Sequence, residues 1–99
     1  MKSLTNNELE CTIDKIIDIL EKVQEREWSA AFRNLQKEYR NAHSQHERKI
    51  VLSKIMQLYS GMGSFSDLVL YHKGRLLIEE TNTLNQLRIR LFQLLMELR

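Results

Sequence analysis

Residues 59–71, YSGMGSFSDLVLY, separate two kinds of sequence pattern. Before this segment, apolar residues recur every three or four positions, and after it they occur in short runs. Two of the three glycines of the chain, Gly61 and Gly63, lie inside it. Because glycine readily adopts the left-handed conformation that ends many helices, we predict that a helix ends near residues 59–60 and that Gly61 caps it.

Glycine pairs followed by serine also occur in phosphate-binding loops. Such a loop needs a preceding strand, a Lys-Ser or Lys-Thr pair and a following helix. Here a helical pattern precedes the glycines, and the next lysine is Lys73. We therefore predict a structural turn in which Met62 folds back onto the core. Ser64 and Asp67 have the spacing of a capping pair, with Asp67 anchoring backbone N–H groups.

Upstream of the turn, three amphipathic helices are predicted. Thr5 and Glu8 have the spacing of a capping box and begin a helix that runs to about residue 25. Ser44 and Glu47 repeat that spacing and begin the third helix. The apolar stripes are Leu9, Ile13, Ile16, Ile17, Leu20 and Val23, then Trp28, Ala31, Phe32, Leu35, Tyr39 and Ala42, then Val51, Leu52, Ile55, Leu58 and Tyr59. Helices with such short connections stack antiparallel.

Downstream, the runs LVLY (68–71) and RLLI (75–78) flank HKG and predict a small β-hairpin. A last helix is predicted from about Asn82 to Leu98. Its main stripe comprises Leu84, Leu87, Leu91, Leu94, Leu95 and Leu98. The expected fold is a mainly α single domain over residues 1–99. It is a compact antiparallel four-helix bundle with one short β-hairpin between helices 3 and 4.

The last helix carries a second apolar set, Ile89, Phe92 and Met96, roughly 140° around the helix from the main stripe. We favour a central helix that is buried on two sides. The alternative is an exposed patch that contacts a partner or forms a homodimer.

Composition excludes several classes of function. A single cysteine, Cys11, excludes an internal disulfide and a cysteine-built zinc site. His43 and His46 lie three residues apart, but no third metal ligand is identifiable. No local catalytic signature is present, and no segment approaches the roughly 20 apolar residues of a membrane span. We expect a cytoplasmic protein that is not an enzyme and uses no cofactor or metal.

Charge is distributed by region along the chain. Five carboxylates at steps of three and four residues form an acidic ridge on the first helix, namely Glu10, Asp14, Asp18, Glu21 and Glu25. Helices 2 and 3 carry the basic residues Arg33, Lys37, Arg40, Arg48, Lys49 and Lys54. The ridge is either a solvated face or a surface that docks on a basic partner. The basic residues either contact phosphates or complement helix 1 across the fold.

One set of residues resembles a small bacterial domain family of unknown function. The family is marked by a tryptophan followed by a Gly-Gly-Met-Gly-Ser-x-x-Asp-Leu-Val segment, and the resemblance covers most of residues 28–98. The corresponding residues are Trp28, Gly61, Met62, Gly63, Ser64, Asp67, Leu68 and Val69, followed by Asn82, Leu84, Leu87 and Arg88. Ser60 replaces the first glycine, and Ser66 stands where the family often has asparagine. The resemblance implies no catalytic residues.

Small free-standing bacterial domains of this type resemble immunity proteins encoded beside toxins. The resemblance implies an immunity protein that neutralises a cognate toxin, of the contact-dependent growth inhibition type, by occluding its active site. If the toxin is a nuclease, that site should be basic. The expected contacts are then the acidic ridge together with Asp67, Glu79 and Glu80. The alternatives are a homo-oligomeric helical adaptor that uses Ile89, Phe92 and Met96, and a nucleic-acid-binding protein that uses helices 2 and 3.

Overall fold

Four α-helices and a short hairpin make up the computed structural model, which describes residues 4–60 and 63–98. The helices are α1 (Leu4–Lys22), α2 (Arg26–Asn41), α3 (Gln45–Gln57) and α4 (Ile78–Leu98). One turn of 3₁₀ helix (Phe65–Asp67) and the strands β1 (Tyr71–His72) and β2 (Arg75–Leu76) lie between α3 and α4. The predicted mainly helical fold with one hairpin before the last helix is confirmed.

Side-chain pairs show that α1 and α2 run antiparallel. Glu10, in the first half of α1, pairs with Arg40 near the end of α2. Glu21, at the end of α1, pairs with Arg33 in the first half of α2. These two pairs show that the chain reverses its direction between α1 and α2.

The other neighbouring helices are also antiparallel. Lys54 of α3 pairs with Glu38 of α2, and the three-residue connection between these helices (42–44) makes them antiparallel neighbours. Arg90, in the second half of α4, pairs with Glu8, at the beginning of α1. Since α4 also contacts α3, the four helices form a closed up-and-down bundle with principal extents of 44 × 22 × 21 Å.

The core is formed by the predicted stripes. Phe65, from the 3₁₀ turn, joins it and is fully buried. The ring centroid of Phe65 lies 4.7 Å from that of Phe32, 5.5 Å from that of Trp28 and 5.6 Å from that of Tyr59. Such aromatic packing adds about 0.5–1.5 kcal/mol per pair beyond the buried area. The other buried apolar residues are Leu9, Ile13, Ile16, Ile17, Leu20, Val23, Tyr39, Val51, Leu52, Ile55, Leu70, Leu84, Leu91, Leu94 and Leu95.

The hairpin is shorter than predicted. Its register pairs Tyr71 with Leu76 and leaves Lys73 and Gly74 as a two-residue turn. Both turn residues have positive φ, 51° and 78°, as the tight turns that match strand twist require. The ladder ends early because α4 begins at Ile78, with one residue between it and the second strand, instead of near residue 82.

The ends of α1 also differ from the prediction. Thr5 lies inside α1 and is not its cap, because the helix begins at Leu4. Glu8 does not complete a capping box with Thr5. Its carboxylate accepts hydrogen bonds from Arg90 instead. At the other end, Gln24 has a φ of 64°, and the N–H of Glu25 donates to the carbonyl of Leu20 at 2.8 Å, which ends the helix before residue 25.

One of the two later capping pairs is confirmed. The Ser44 hydroxyl accepts a hydrogen bond from the Glu47 N–H at 3.1 Å and begins α3. The predicted Ser64–Asp67 pair is wrong, because the Ser64 hydroxyl donates back to the Tyr59 carbonyl at 3.3 Å and hydrogen bonds the Ser66 hydroxyl. The roles predicted for Gly61 and Met62 lie outside the described residues.

Candidate functional site

Two carboxylates of the acidic ridge form ion pairs with α2. Glu21 Oε2 accepts hydrogen bonds from Arg33 Nε at 2.9 Å and Nη2 at 2.6 Å. Glu10 Oε1 accepts from Arg40 Nε at 3.0 Å. The pKa of the Arg33 guanidinium is raised, chiefly by its hydrogen bond to Glu21. Part of the basic surface of α2 therefore complements helix 1 within the fold.

A third ridge carboxylate is held by a buried amide. Asp14 Oδ1 accepts from Gln36 Nε2 at 2.6 Å and lies 3.9 Å from Arg40 Nη2. Gln36 is buried, so this hydrogen bond satisfies a polar group in the interface between α1 and α2. Three of the five ridge carboxylates thus face partners on α2.

The remaining expected contact residues separate into one cluster and two single positions. Asp18 lines a shallow groove between α1 and α4 together with Glu79 and Glu80. Glu25 immediately precedes α2, and Asp67 lies in the 3₁₀ turn. The fold therefore brings one member of the ridge together with the second acidic pair, in a groove that Lys15, Lys22 and Thr83 also line.

The second apolar set of α4 is exposed. Ile89, Phe92 and Met96 are 61%, 42% and 56% exposed. The expectation that this helix is buried on two sides is wrong, because α1 and α3 cover only the side that carries Leu84 and Leu95. Phe92, Ile89 and Met96 consequently form an apolar surface, which we call the α4 patch.

Arg88 is a buried residue whose role the sequence patterns did not reveal. Its Nη1 donates to the carbonyl of Phe65 at 2.6 Å and to that of Leu68 at 2.8 Å, and its Nη2 donates to Asn85 Oδ1. Burial lowers the pKa of the guanidinium. The sequence offered one signal, since Arg88 is among the residues that carry the family resemblance. Arg88 fastens the 3₁₀ turn to α4.

A groove adjoins Arg88 on the outside of the bundle. The Tyr59 hydroxyl donates to the Arg88 carbonyl at 2.8 Å, and the Tyr59 ring lies 5.5 Å from that of Phe92. Burial raises the pKa of the Tyr59 phenol. The groove continues the α4 patch and is lined by Tyr59, Ser66, Asn85, Arg88, Ile89, Phe92 and Gln93.

Three further residues of the family motif, Trp28, Gly63 and Asp67, lie in the fold as follows. Trp28 is half-buried against Phe65. Gly63 has a φ of 73°, which favours glycine at this position. Asp67 is exposed, and its carboxylate makes no hydrogen bond to any residue that the structure describes, so the predicted anchoring of backbone N–H groups is not observed.

The basic residues of α2 and α3 are partly neutralised. Arg33, Arg40 and Lys54 pair with carboxylates. Because these cations already have anionic neighbours, the geometry does not favour the nucleic-acid-binding alternative.

The described residues form neither a metal-binding cluster nor a membrane-spanning helix. Within residues 4–60 and 63–98, no group of histidine, cysteine and acidic side chains is arranged to hold a metal ion. His43 and His46 are exposed, and Cys11 is exposed on α1. None of the described helices combines the length and the apolar character needed to cross a membrane.

A domain of unknown function, DUF6966, matches residues 21–78, which is more than half of the chain. The chain belongs to this family. The DUF6966 match begins at the end of α1 and includes α2, α3, the 3₁₀ turn and the hairpin. No curated protein and no solved structure is similar enough to the chain to count as a match.

Proposed function

We propose that this chain is an immunity-type binding protein that neutralises a cognate toxin domain by covering its active site. The observation that carries the proposal is the α4 patch. The same helix carries Glu79 and Glu80, which line a groove together with Asp18 that we call the acidic groove. An apolar and aromatic centre with a charged rim is the usual anatomy of a specific protein–protein interface.

The α4 patch would supply the buried centre of this interface. Phe92 is its aromatic anchor, since its ring already packs against Tyr59 and loses little freedom on binding. Asp18, Glu79 and Glu80 would form the rim and would attract a basic active site such as that of a nuclease. Glu10, Asp14 and Glu21 contribute less to this attraction, because α2 already offers them partners.

The experiment measures association with the toxin domain encoded in the neighbouring reading frame. Asp18→Lys combined with Glu79→Lys is expected to slow association about tenfold or more at low salt and to reduce its salt dependence. The control is Glu27→Lys, which reverses one charge at an exposed residue of the first turn of α2 and is compared with Asp18→Lys and Glu79→Lys taken singly. Equal effects of the two changes, or no effect of either, would contradict the acidic groove as the rim.

The exposure of Ile89, Phe92 and Met96 also favours a second candidate, a homo-oligomeric helical adaptor in which the α4 patch contacts another copy. Sedimentation of the purified chain distinguishes the two candidates. Self-association that Phe92→Glu abolishes would support the adaptor, whereas a strict monomer at high concentration would exclude it.

A further inference from the structure

The α4 patch is part of a longer line of exposed residues along its helix. Ile78, the first residue of α4, is 63% exposed, and Asn82 and Asn85 are exposed between it and the patch. At 100° per residue, these three positions and the α4 patch lie within about 40° of one line along the helix. We call this set the α4 stripe, which comprises Ile78, Asn82, Asn85, Ile89, Phe92 and Met96.

The α4 stripe has the spacing of a seam between two helices. Its steps along the sequence are four, three, four, three and four residues, which is the heptad alternation of d and a positions. A helix with this 3.5-residue repeat packs lengthwise against a second helix, at a crossing angle of about 20°. Within residues 4–60 and 63–98, no helix covers the stripe, since all six of its residues are exposed.

The two asparagines restrict what can cover the stripe. Asn85 Oδ1 accepts a hydrogen bond from Arg88 Nη2. Because a guanidinium has no acceptor, this bond fixes which amide atom faces Arg88 and leaves the Asn85 NH₂ group available as a donor. The Asn82 amide has no hydrogen-bond partner among the residues that the structure describes. A covering helix must therefore offer both donors and acceptors at these two layers, since an unsatisfied buried amide costs about 1–3 kcal/mol.

The edges of the stripe are compatible with a second copy of the same helix. In a parallel helix pair, the residue at position e of one helix faces the residue at position g of the other. The facing pairs would be Thr81 with Gln86 and Arg88 with Gln93, which contain no like charges. The exposed carboxylate at position e, that of Glu79, lies on opposite sides of the seam in the two copies.

We propose that the α4 stripe packs against the α4 stripe of a second copy in a parallel two-fold dimer. In this arrangement each residue meets the same residue of the other copy, so apolar layers meet apolar layers and the asparagine amides supply each other's donors and acceptors. Asparagine at position a, here Asn82, fixes the register of parallel pairs. An antiparallel pair that matches the asparagines would leave Phe92 and Met96 beyond the end of the other helix. The inference rests on the second candidate function, the homo-oligomeric adaptor, and specifies its contact.

The length of the stripe sets the expected strength of the dimer. It extends from residue 78 to residue 96, or about 27 Å, which is fewer than three heptads. If each of its six residues buries roughly 80–100 Å², two copies bury about 1,000–1,200 Å² in total, the lower limit of a specific interface. We therefore expect a monomer–dimer equilibrium in the micromolar to millimolar range and not an obligate dimer.

The first experiment measures self-association of the full chain alone, under reducing conditions, by sedimentation equilibrium up to about millimolar concentration. Asn82→Asp keeps the size of the side chain but places two like charges in one layer, so it is expected to weaken the dimer at least tenfold at pH 7. The matched control is Asn34→Asp at an exposed residue of α2, which is expected to leave self-association unchanged. Circular dichroism establishes that both variants are folded.

The second experiment tests the parallel direction by disulfide formation in a Cys11→Ser background. Met96→Cys places the two thiols in one layer of the parallel pair, where the Cα atoms are close enough for a disulfide, so it is expected to crosslink rapidly on mild oxidation. The matched control is Glu97→Cys, the next residue, which is exposed and outside the stripe and is expected to crosslink at least tenfold more slowly.

Equal self-association of Asn82→Asp and Asn34→Asp, or equal crosslinking of the two cysteine variants, would overturn the parallel dimer. Self-association that Phe92→Glu abolishes but Asn82→Asp does not would overturn this geometry and leave the adaptor in place. A strict monomer at every concentration would exclude both. Because no toxin is present, these outcomes are independent of the proposed immunity function.

Discussion

Arg88 contacts both the backbone carbonyl and the aromatic ring of Phe65. Arg88 Nη1 donates to the Phe65 carbonyl at 2.6 Å, and the guanidinium carbon lies 5.6 Å from the centroid of the Phe65 ring. Phe65 in turn fills the core against Phe32 and Trp28. Helix α4 therefore positions the 3₁₀ turn through the guanidinium of Arg88, a residue that is only 7% exposed.

Arg88→Lys is expected to destabilise the fold by about 2–3 kcal/mol. A lysine ammonium on a different stem cannot reproduce the planar fork that reaches two carbonyls and Asn85, and buried acceptors would lose their donors. Urea unfolding measures the change. The matched control is Arg90→Lys, at an exposed ion pair with Glu8, for which we expect almost no change. Equal losses in the two variants would contradict the role of the Arg88 hydrogen bonds.

Asp14→Ala is expected to be about 1 kcal/mol less stable than Asp18→Ala. The first change leaves the buried Gln36 amide without its 2.6 Å acceptor, whereas the second removes a carboxylate of the open groove. Both variants exchange the same residue types on the same helix, so their helix propensities cancel. Chemical unfolding of the pair measures the difference, and identical midpoints would show that the Gln36 bond contributes nothing.

Lys73→Asn is expected to stabilise the protein by about 0.5–1 kcal/mol. Lys73 has a φ of 51°, a conformation that asparagine tolerates better than lysine, and the change creates the Asn-Gly turn favoured in hairpins. Gly74→Ala is expected to destabilise the protein by a similar amount, because alanine rarely adopts its φ of 78°. The cost is limited to this backbone strain, since a Cβ at residue 74 would meet no atom within 4 Å. Thermal unfolding measures both changes. Two shifts of the same sign would contradict this account of the turn.

Stability is expected to fall as the pH rises above about 10. Burial raises the pKa of Tyr59 above its ordinary value of 10.0, so the unfolded chain releases this proton at a lower pH than the folded chain does. Below pH 10 the phenol is protonated in both states and its contribution is fully present. Above pH 10 deprotonation favours unfolding, by up to about 1.4 kcal/mol per pH unit.

Tyr59→Phe tests this linkage. The variant is expected to lose stability more gradually between pH 10 and 11, although it also lacks the hydrogen bond to the Arg88 carbonyl. Burial raises the pKa of Tyr39 as well, so Tyr39→Phe is expected to act in the same direction. Urea unfolding across this pH range measures the slopes, and a slope in Tyr59→Phe as steep as in the parent would contradict the linkage.

The helices were predictable from sequence because their information is local. Apolar spacing located all four core stripes, and the Ser44–Glu47 spacing located the beginning of α3. The beginning of α4 was not predictable, because Ile78 continues an apolar run, and the first helical turn is shown by the hydrogen bond from the Thr81 N–H to the Leu77 carbonyl. Short apolar runs do not distinguish strand from helix.

The surfaces were less predictable than the core. The spacing of Glu10, Asp14 and Glu21 shows that they share one side of α1, but not that α2 lies against that side. Arg88 has its two backbone acceptors 23 and 20 residues away in sequence, at Phe65 and Leu68. Exposure of Phe92 likewise depends on where the other three helices pack. Such facts arise from tertiary contacts and have no local signature.

The position of Cys11 affects how assembly experiments on this protein are carried out. It is the single cysteine of the chain, and it is exposed on α1. Oxidation of this thiol in air would join two copies through a disulfide and produce a covalent pair with the mass of a dimer, so such experiments need a reducing agent. The same thiol is a unique attachment point for a maleimide fluorophore, so energy transfer between labelled copies can report the approach of two chains without altering any residue of the α4 patch.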